Sequence, residues 1–329
     1  MPGTMPNIRT MAAVAALVAA TQPAAAQDWP NRSITMVISF AAGSSIDVAG
    51  RIVAARLSEL LGQSVVIENI GGAGGMTGAA RVAKAPPDGY QILFGGSATH
   101  TFSQLLYKAP LYNSVTDFAP IALVAETPAV LIARKELPPD DLQQFIAYTK
   151  ANQAKMQYGS AGSGSASHLA CVLFNSTIGV NLTHIPYRGG PQAMQDMIGG
   201  RIDYWCPLAA SAIPQIESKT VKAIAMLSKA RAPLLPALAT AHEQGLTNFD
   251  ASSWYGIFTP KSAPPPILQK LNAATVAALS TPAVRQRLSE VGAEVVGPER
   301  QKPDYLQKFV EDDIKMWAAI VKAAGIQPE

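Results

Sequence analysis

Short apolar runs alternate with amphipathic stretches along the first hundred residues. The apolar run at 34–40 predicts a buried strand, and a Gly/Ser turn follows it. Apolar side chains then recur at helical spacing, at Ile52, Val53, Leu57, Leu60 and Leu61. Gly62 is expected to end that helix. A strand at 65–68, a helix near 77–85 and a strand at 91–94 follow, and this βαβαβ order predicts a parallel sheet covered on both faces.

A second series repeats this plan. Strands are predicted near 156–158, 183–185, 202–206 and 221–226, with helical stretches beginning near Ala166, Pro191 and Ala210. Two further β-rich stretches, at 121–133 and 252–258, are expected to cross between the two halves. Downstream of Pro260, three helices without a strand series are predicted near 267–279, 282–291 and 305–324. Because helices without a sheet must pack on an existing one, we expect this tail to fold back onto the first half.

The order of elements predicts an α/β protein made of two αβα domains, with an interdomain cleft and two crossing strands. In this prediction residues 27–128 and 252–329 form a discontinuous first domain, and residues 129–251 form the second. The chain is 48% hydrophobic and 15% charged, which suits two medium-sized globular domains. Ligands commonly bind between two such domains.

The N-terminal segment has the pattern of a secretory signal peptide. Arg9 is its basic residue, an apolar run spans 11–20, and an alanine run at 24–26 offers a cleavage site before Gln27. The alternative is a short membrane anchor, but the apolar run is well below the roughly 20 residues that span a bilayer. We therefore predict a signal peptide at 1–26 and, in a bacterium with two membranes, a periplasmic protein.

Charge and motifs exclude several classes of function. The 26 Lys and Arg and the 23 Asp and Glu are scattered without a basic stripe, which argues against a nucleic-acid partner. Neither GxGxxG nor GxxxxGK[ST] occurs, and no GxSxG elbow occurs, so neither a nucleotide site nor a serine-hydrolase elbow is predicted. No cofactor and no metal are predicted.

The two cysteines leave two readings open. An oxidising compartment permits a disulfide between Cys171 and Cys206, while the alternative is two buried small hydrophobic side chains. Zinc is not expected, because no His or Cys lies at ligand spacing to either cysteine.

Four strand-to-helix turns are rich in small residues, at 41–47, 71–75, 95–99 and 160–165. At the ends of parallel strands, free backbone N–H groups and positive helix ends favour an anion. One such turn is more often only a cap and a tight connection. Four of them at equivalent strand ends in both halves instead predict a carboxylate that is bound by several weak donors.

The turns supply most of the candidate ligand contacts, which are Ala41, Gly43, Ser44, Ser45, Asp47, Ser97, Thr99, Ser160, Gly162, Gly164 and Ser165. Asp47 has an alternative role as an N-cap. His100 and His168 each begin a helix after a glycine-rich turn, and for both a ligand contact is favoured over catalysis. His184 lies on a predicted strand and is expected to be a hydrogen-bonded structural group.

Four more residues are candidates for the cleft. Arg188 stands just before a helix, where its guanidinium would bind a carboxylate bidentately; the alternative is an exposed side chain. Trp205 and Cys206 end a predicted strand, and Trp254 lies on a predicted crossing strand. These residues would form a wall against an apolar ligand body, and the alternative is core packing.

Seven groups of residues, in this order and spacing, resemble one family, the tripartite tricarboxylate transporter substrate-binding receptors, also called Bug-type proteins. They are SFAAGSSID at 39–47, EN at 68–69 with GAGG at 72–75, PDGY at 87–90, DFAPI at 117–121, YGSAGSG at 158–164, HLA at 168–170 and HIPYRG at 184–189. The resemblance spans nearly all of the predicted mature chain. It implies a type II periplasmic binding fold that closes on a carboxylate and delivers it to a two-component membrane permease.

The resemblance also implies how the ligand is held, through backbone amides, hydroxyls and ordered water of the loops at 41–47 and 160–165. The chain departs from the family pattern at three places. The family usually has Pro where Ser39 stands, Gly-Gly where Gly43-Ser44 stand and, in many members, Asp-Asn where Pro207-Leu208 stand. The last departure suggests a less polar ligand body, such as an aromatic or aliphatic mono- or dicarboxylate.

These observations predict a monomeric, non-enzymatic carrier for a small carboxylate, with membrane permease subunits as its partners. Two alternatives share many of its sequence features. A periplasmic subunit that presents its ligand to a signalling kinase would have the same loops. A secreted hydrolase would need a base beside one of the serine hydroxyls, and the sequence shows no evident one.

Overall fold

The structure, a computed structural model, describes residues 29–233, 235–323, 325–326 and 328. The predicted signal peptide lies outside the described residues. None of the helices in these ranges combines the length and the apolar character that a membrane crossing requires.

Six strands form the first sheet, which with its helices we call lobe one. They are β1 (Ile34–Ile38), β2 (Val65–Asn69), β3 (Gln91–Gly96), β4 (Phe118–Thr127), β10 (Ser253–Pro260) and β11 (Glu294–Val295), in the order β11-β4-β10-β3-β1-β2. β1 pairs in parallel with β2 and β3, as the βαβαβ pattern predicts. β10 pairs antiparallel with β3 and β4, so the complete sheet is mixed.

The helices of lobe one follow its strands or close the chain. They are α1 (Ser45–Leu61), α2 (Met76–Ala83), a π-helix (Ala98–Phe102) that continues into α3 (Ser103–Leu106), α8 (Pro265–Ser280), α9 (Pro282–Glu290), α10 (Pro303–Ala323) and the 3₁₀ turns Ala73–Gly75 and Pro298–Arg300. α1 ends as predicted at Gly62, whose φ of 68° is left-handed.

Five strands form the second sheet, which with its helices we call lobe two. They are β5 (Val130–Arg134), β6 (Gln157–Ser160), β7 (Thr183–Pro186), β8 (Tyr204–Trp205) and β9 (Val221–Met226), in the order β7-β6-β8-β5-β9. Its helices are α4 (Leu142–Asn152), α5 (Ala166–Ile178), α6 (Gly190–Ile198), α7 (Ile213–Glu217) and a 3₁₀ turn at Ala209–Ser211. The predicted helix near Ala210 is thus two short pieces, and the predicted strand at 202–206 is reduced to two residues.

The chain passes between the sheets at two places. The β-rich stretch at 121–133 is two strands in different sheets, because Pro128 has no N–H to continue a ladder. On the return path, the Ala251 N–H donates to the Leu227 carbonyl of lobe two, and two residues later Ser253 pairs with Thr127 of lobe one. The predicted domain boundaries at 128/129 and 251/252 stay a prediction.

The C-terminal helices pack on lobe one, as expected for helices without a sheet. α8 contacts α1 and β4, α9 contacts α1 and α8, and α10 contacts β4 and the π-helix. The two-residue strand β11, which the sequence pattern did not indicate, pairs antiparallel with β4 and closes that edge of the sheet.

Cys171 of α5 and Cys206, which follows β8, form a disulfide with a Cα–Cα distance of 5.3 Å. Both residues are fully buried in a core that also contains Phe145, Phe174 and Tyr204. Of the two alternatives the structure has the disulfide, and the bridged pair is also part of the core. The bridge fixes α5 to the end of β8.

Candidate functional site

A cavity lies between the two lobes, beside the carboxyl ends of β1, β3, β6 and β8. It is lined by Phe40, Ser44, Ser45, Ile46, Gly96, Ser97, Ala98, Ala161, Ser165, Ala166, Ser167, Gly190, Trp205, Leu208, Ser211, Ser253, Trp254 and Tyr255. The volume of the cavity that the centre of a water molecule can occupy is about 60 Å³.

Four helices begin at this cavity, two from each lobe. Ser44 precedes α1 and Ser97 precedes the π-helix in lobe one, while Ser165 precedes α5 and Gly190 begins α6 in lobe two. The first N–H groups of a helix have no acceptor within that helix. The helix dipole adds partial positive charge at the same end. The cavity therefore attracts an anion from both sides.

Serine hydroxyls line both walls and partly satisfy one another. The Ser45 hydroxyl donates to the Ser211 hydroxyl at 2.9 Å, which joins the two lobes directly. The Ser253 hydroxyl donates to Ser97 Oγ at 2.9 Å, and the Trp254 N–H donates to the same oxygen at 3.1 Å. Ser97 Oγ therefore accepts two hydrogen bonds within the protein, and its own proton can be donated to a ligand.

The rest of the lining is largely apolar and carries no charge among the described residues. Phe40, Trp205, Leu208 and Trp254 supply its largest apolar surfaces. The Trp254 indole N–H donates to Asp313 Oδ2 at 2.9 Å, which fixes the orientation of that ring. An apolar ligand body would pack against these side chains.

Asp47 lies beneath the loop between β1 and α1 and outside the cavity lining. Its Oδ2 accepts hydrogen bonds from the Gly43 N–H and from Arg51 Nε, each at 2.9 Å, and its Oδ1 accepts from Asn69 Nδ2 at 2.8 Å. Burial raises the pKa of Asp47, but hydrogen bonds from Arg51, Gly43 and Asn69 outweigh burial and bring it below 3.8. The predicted N-cap role is wrong, because Ser44 is the N-cap of α1.

His100 and Thr99 form a buried layer behind the cavity. The His100 ring stacks on Phe258 with a centroid distance of 3.7 Å, and Thr99 Oγ1 lies 3.0 Å from His100 Nδ1. Burial lowers the pKa of His100 to about 3, so the imidazole is neutral at neutral pH. The structure does not bring either residue to the cavity.

The loop between β6 and α5 turns at two glycines in the left-handed region, Gly162 (φ 118°) and Gly164 (φ 77°). The Gly162 N–H donates to Ser160 Oγ at 3.1 Å, and the Gly164 N–H donates to His168 Nδ1 at 3.2 Å. Of the candidates in this loop, Ser165 lines the cavity, and the others shape the loop from behind.

A stack of aromatic rings supports the same loop. Ser160 Oγ lies 2.7 Å from His184 Nε2, and the His184 ring stacks on His168 at 4.0 Å and on Tyr158 at 4.9 Å. Burial lowers the pKa of His184 to about 4, and burial together with the charge of His184 lowers that of His168 to about 3. The Ser160–His184 distance is that of a nucleophile and its base, but Ser160 is fully buried.

Two further candidates also lie outside the lining. Arg188 is exposed, and its backbone N–H donates to Gln192 Oε1 at 3.2 Å. Cys206 is fully buried and bonded to Cys171, so it has no thiol to offer a ligand.

The structure thus brings six of the predicted residues to the cavity, namely Ser44, Ser45, Ser97, Ser165, Trp205 and Trp254. The remaining candidates lie beside or behind it, namely Ala41, Gly43, Asp47, Thr99, His100, Ser160, Gly162, Gly164, His168, Arg188 and Cys206. Their roles in ligand binding stay predictions.

Several lining residues were not predicted from the sequence. Ser211, Ser253 and Leu208 lie in segments with no turn pattern of the kind that identified the other loops. Phe40 and Gly190 did have a local signal, because Phe40 ends an apolar run and Gly190 precedes a predicted helix start. Of the missed residues, Ser211 and Leu208 come to the site only through the packing of lobe two against lobe one.

Sequence comparison identifies relatives along most of the chain. The profile of the family described as "Tripartite tricarboxylate transporter family receptor" (TctC) matches residues 49–326. A protein of Agrobacterium vitis, "UPF0065 protein in the TAR-I ttuE-ttuC' intergenic region", is 37% identical over 92% of this chain and 87% of its own length. Protein BugT of Bordetella pertussis is 33% identical over 97% of this chain and 98% of its own.

Solved structures show the same architecture. The periplasmic binding protein BugD superposes with a TM-score of 0.88 and 38% identity, over 92% of this chain and all of BugD. Rpa4515 of R. palustris, solved with adipate, has a TM-score of 0.88 and 34% identity over 92% of this chain and all of its own. MatC (Rpa3494) of Rhodopseudomonas palustris, solved with bound malate, has a TM-score of 0.85 and 38% identity over 89% of this chain and all of its own. The chain therefore belongs to the tripartite tricarboxylate transporter receptor family, the Bug-type periplasmic solute-binding proteins, and has their two-lobed type II periplasmic binding fold.

Proposed function

We propose that this protein captures a small carboxylate between its lobes and delivers it to the membrane permease of a tripartite tricarboxylate transporter. The observation that carries the proposal is the convergence of four helix N-termini on a cavity without charged side chains among the described residues. Two similar proteins bind dicarboxylates, since Rpa4515 was solved with adipate and MatC with malate.

The electrostatics of the cavity favour an anion over a cation or a neutral solute. A cation would meet four positive helix ends without a carboxylate in the described lining. Each helix end contributes about 0.3–1 kcal/mol to a nearby anion, and up to about 2 kcal/mol where the end is partly buried.

The lining also supports a ligand with an apolar body. Leu208 lies where many family members are expected to place a polar residue, and Phe40, Trp205 and Trp254 add apolar surface. We propose an aliphatic or aromatic mono- or dicarboxylate that fits the small volume of the closed cavity.

The protein acts as a carrier and not as an enzyme in this proposal. Ser160 and His184 form a Ser–His pair beside the loop between β6 and α5. Ser160 is fully buried and does not line the cavity, so its hydroxyl would not reach a ligand there. The signal peptide predicted at 1–26 would place the protein in the periplasm. There it would act as a monomer, and its closure on the ligand would create the form that the permease recognises.

A calorimetric and thermal-shift screen tests the proposal. The panel contains adipate, malate, glutarate and benzoate, with adipamide as the uncharged counterpart of adipate. A ligand at 100 times its dissociation constant stabilises the native state by about 2.7 kcal/mol. We expect at least one carboxylate to raise the melting temperature while adipamide does not. Stabilisation by amines or sugars alone would contradict the proposal.

A matched pair of variants places the binding in the cavity. Ser211→Asp adds a negative charge to the lining, and Ser218→Asp adds the same charge to an exposed position of the same lobe. We expect Ser211→Asp to abolish carboxylate binding and Ser218→Asp to leave it unchanged. Equal effects of the two substitutions would contradict binding at this cavity.

A further inference from the structure

The glycine-rich turn at 71–75 has no place in the cavity, although its sequence resembles the turns that do. It instead contacts lobe two. Gly74 has a φ of 62°, and a Cβ at this position would lie 2.7 Å from the Ser163 carbonyl oxygen and 3.4 Å from Gly164 Cα. Two backbones from opposite lobes therefore approach so closely that a side chain on Gly74 would separate them.

Tyr107, which follows α3 in lobe one, completes this contact. Its hydroxyl donates to the Ser163 carbonyl at 3.2 Å. A Cβ on Gly164 would lie 3.1 Å from Tyr107 Cε2, so the ring also packs against the backbone of lobe two. The contact has a directional component, the hydrogen bond, and a steric component, the fit of two glycines.

The contact lies close to the ligand loops but outside the cavity lining. Ser163 and Gly164 belong to the loop that leads to Ser165, a lining residue. On the other side, a Cβ on Gly75 would lie 3.0 Å from the ring of Phe40, which also lines the cavity. The turn thus touches a wall of the cavity in its own lobe and the ligand loop of the opposite lobe.

We infer that Gly74 and Tyr107 are positioning residues that hold the lobes closed through their contact with Ser163. The effect of this contact on ligand affinity rests on the proposed function, and the closing contact itself does not. Because Tyr107 bonds to Ser163, Gly74 packs against Ser163, and all three residues lie outside the cavity lining, this contact favours the closed form before ligand binds. A larger closed fraction raises the apparent affinity in proportion, since only the competent form binds. The turn at 71–75 therefore sets the affinity of a site that it does not line.

Small-angle X-ray scattering of the ligand-free protein tests this inference directly. Tyr107→Phe removes only the hydroxyl, and Gly74→Ala places a methyl group against the Ser163 carbonyl. We expect both variants to show a larger radius of gyration than the wild type. The double variant should open no further than Gly74→Ala alone, because both substitutions break the same contact.

The chain offers a matched control for each variant. Gly62→Ala introduces alanine at a similar φ of 68° where no atom lies within 4 Å, and Ala73 already tolerates a φ of 48° within the turn itself. Tyr90→Phe removes a hydroxyl that bonds to Asn31 within lobe one. Both controls should scatter as the wild type does. Wild-type scattering from both test variants, or an open ligand-free wild type, would overturn the inference.

Ligand binding provides a second readout. For adipate we expect Tyr107→Phe to weaken binding in proportion to the closed fraction that is lost, by at most about 12-fold, the limit set by one hydrogen bond, and to speed dissociation. Wild-type affinity and dissociation rate in this variant would count against the inference. If no carboxylate of the panel binds to the wild type, the proposed ligand class is wrong, while scattering still tests the closing contact.

Discussion

The carboxylate of Asp47 accepts the backbone N–H of Gly43 at 2.9 Å and so fixes the loop that leads into α1 from below. Arg51 and Asn69 bind to the same carboxylate, and Asn69 also donates to the Phe40 carbonyl at 2.9 Å. The loop between β1 and α1 is thus held by a buried charged group that does not line the cavity.

Replacement of this carboxylate should loosen the loop. For Asp47→Asn we expect the free energy of unfolding to fall by about 1.5–3 kcal/mol, the scale of hydrogen bonds to a charged group. Carboxylate affinity should fall as well, because the α1 N-terminus loses its fixed position. Urea denaturation and calorimetry measure the two effects.

A surface substitution on the same helix provides the control for Asp47. Glu59 of α1 pairs with Arg56 at an exposed position, so Glu59→Gln should cost less than about 1 kcal/mol. Equal destabilisation by Asp47→Asn and Glu59→Gln would contradict the anchoring role.

The stabilisation by Asp47 should also depend on pH. Because the folded pKa of Asp47 lies below 3.8, its contribution to the free energy of unfolding is present above that pH and is lost as the pH falls through the folded value.

The stacked histidines should make stability depend on pH. The folded pKa values of about 3 for His168 and about 4 for His184 lie below the ordinary 6.5. Between pH about 3 and pH about 6.5, the unfolded chain therefore binds more protons than the folded chain. The free energy of unfolding should therefore fall as the pH drops from about 6.5 to about 3.

Denaturation midpoints at pH 7, 6, 5 and 4 test this expectation. The variants His168→Gln and His184→Gln should show a shallower decline than the wild type, because each removes one group that gains a proton on unfolding. His242→Gln changes an exposed histidine and is the control. A decline of unchanged slope in both test variants would exclude the histidine pair as its source.

The disulfide should supply a substantial part of the stability of lobe two. Cys171 and Cys206 are separated by 35 residues, and closing a loop of that size is expected to contribute about 4 kcal/mol. We expect the double variant Cys171→Ala, Cys206→Ala to lose about this much in urea denaturation. Reductant during unfolding should lower the wild type to the same level and leave the double variant unchanged. A double variant as stable as the oxidised wild type would contradict this expectation.

Leu208 offers a test of ligand polarity. It lines the cavity where many family members are expected to carry a polar residue. Leu208→Asn should favour the hydroxylated diacid malate over adipate by about 2- to 12-fold relative to the wild type, because one new hydrogen bond is worth about 0.5–1.5 kcal/mol. Paired calorimetric titrations measure the ratio.

An exposed leucine provides the control for this substitution. Leu111 is 48% exposed, and Leu111→Asn should leave the preference between the two acids unchanged. An unchanged preference in Leu208→Asn would show that this side chain does not select the ligand body.

The tertiary structure decided which of the predicted turns serve the site. The turns at 41–47, 95–99 and 160–165 contribute to the cavity, and the turn at 71–75, which is also rich in small residues, does not. Glycine and serine content indicates that a backbone is accessible, but the order of strands and the closure of the lobes determine what that backbone faces. The pairing of Ser160 with His184, 24 residues apart, depends on the parallel register of β6 and β7 in the same way.

Local sequence patterns predicted most of the elements, and the ordered motifs predicted the family. Apolar periodicity defined β1 and α1, and Gly62 ended the helix because the left-handed backbone at that position costs glycine little. These are local effects, set by residues close in the chain. The hydroxyl pair of Ser45 and Ser211, the disulfide and the contact of Gly74 with Ser163 join residues that are distant in sequence. Only the packing of two lobes fixes such contacts, because local propensity carries no information about which distant segment will lie opposite.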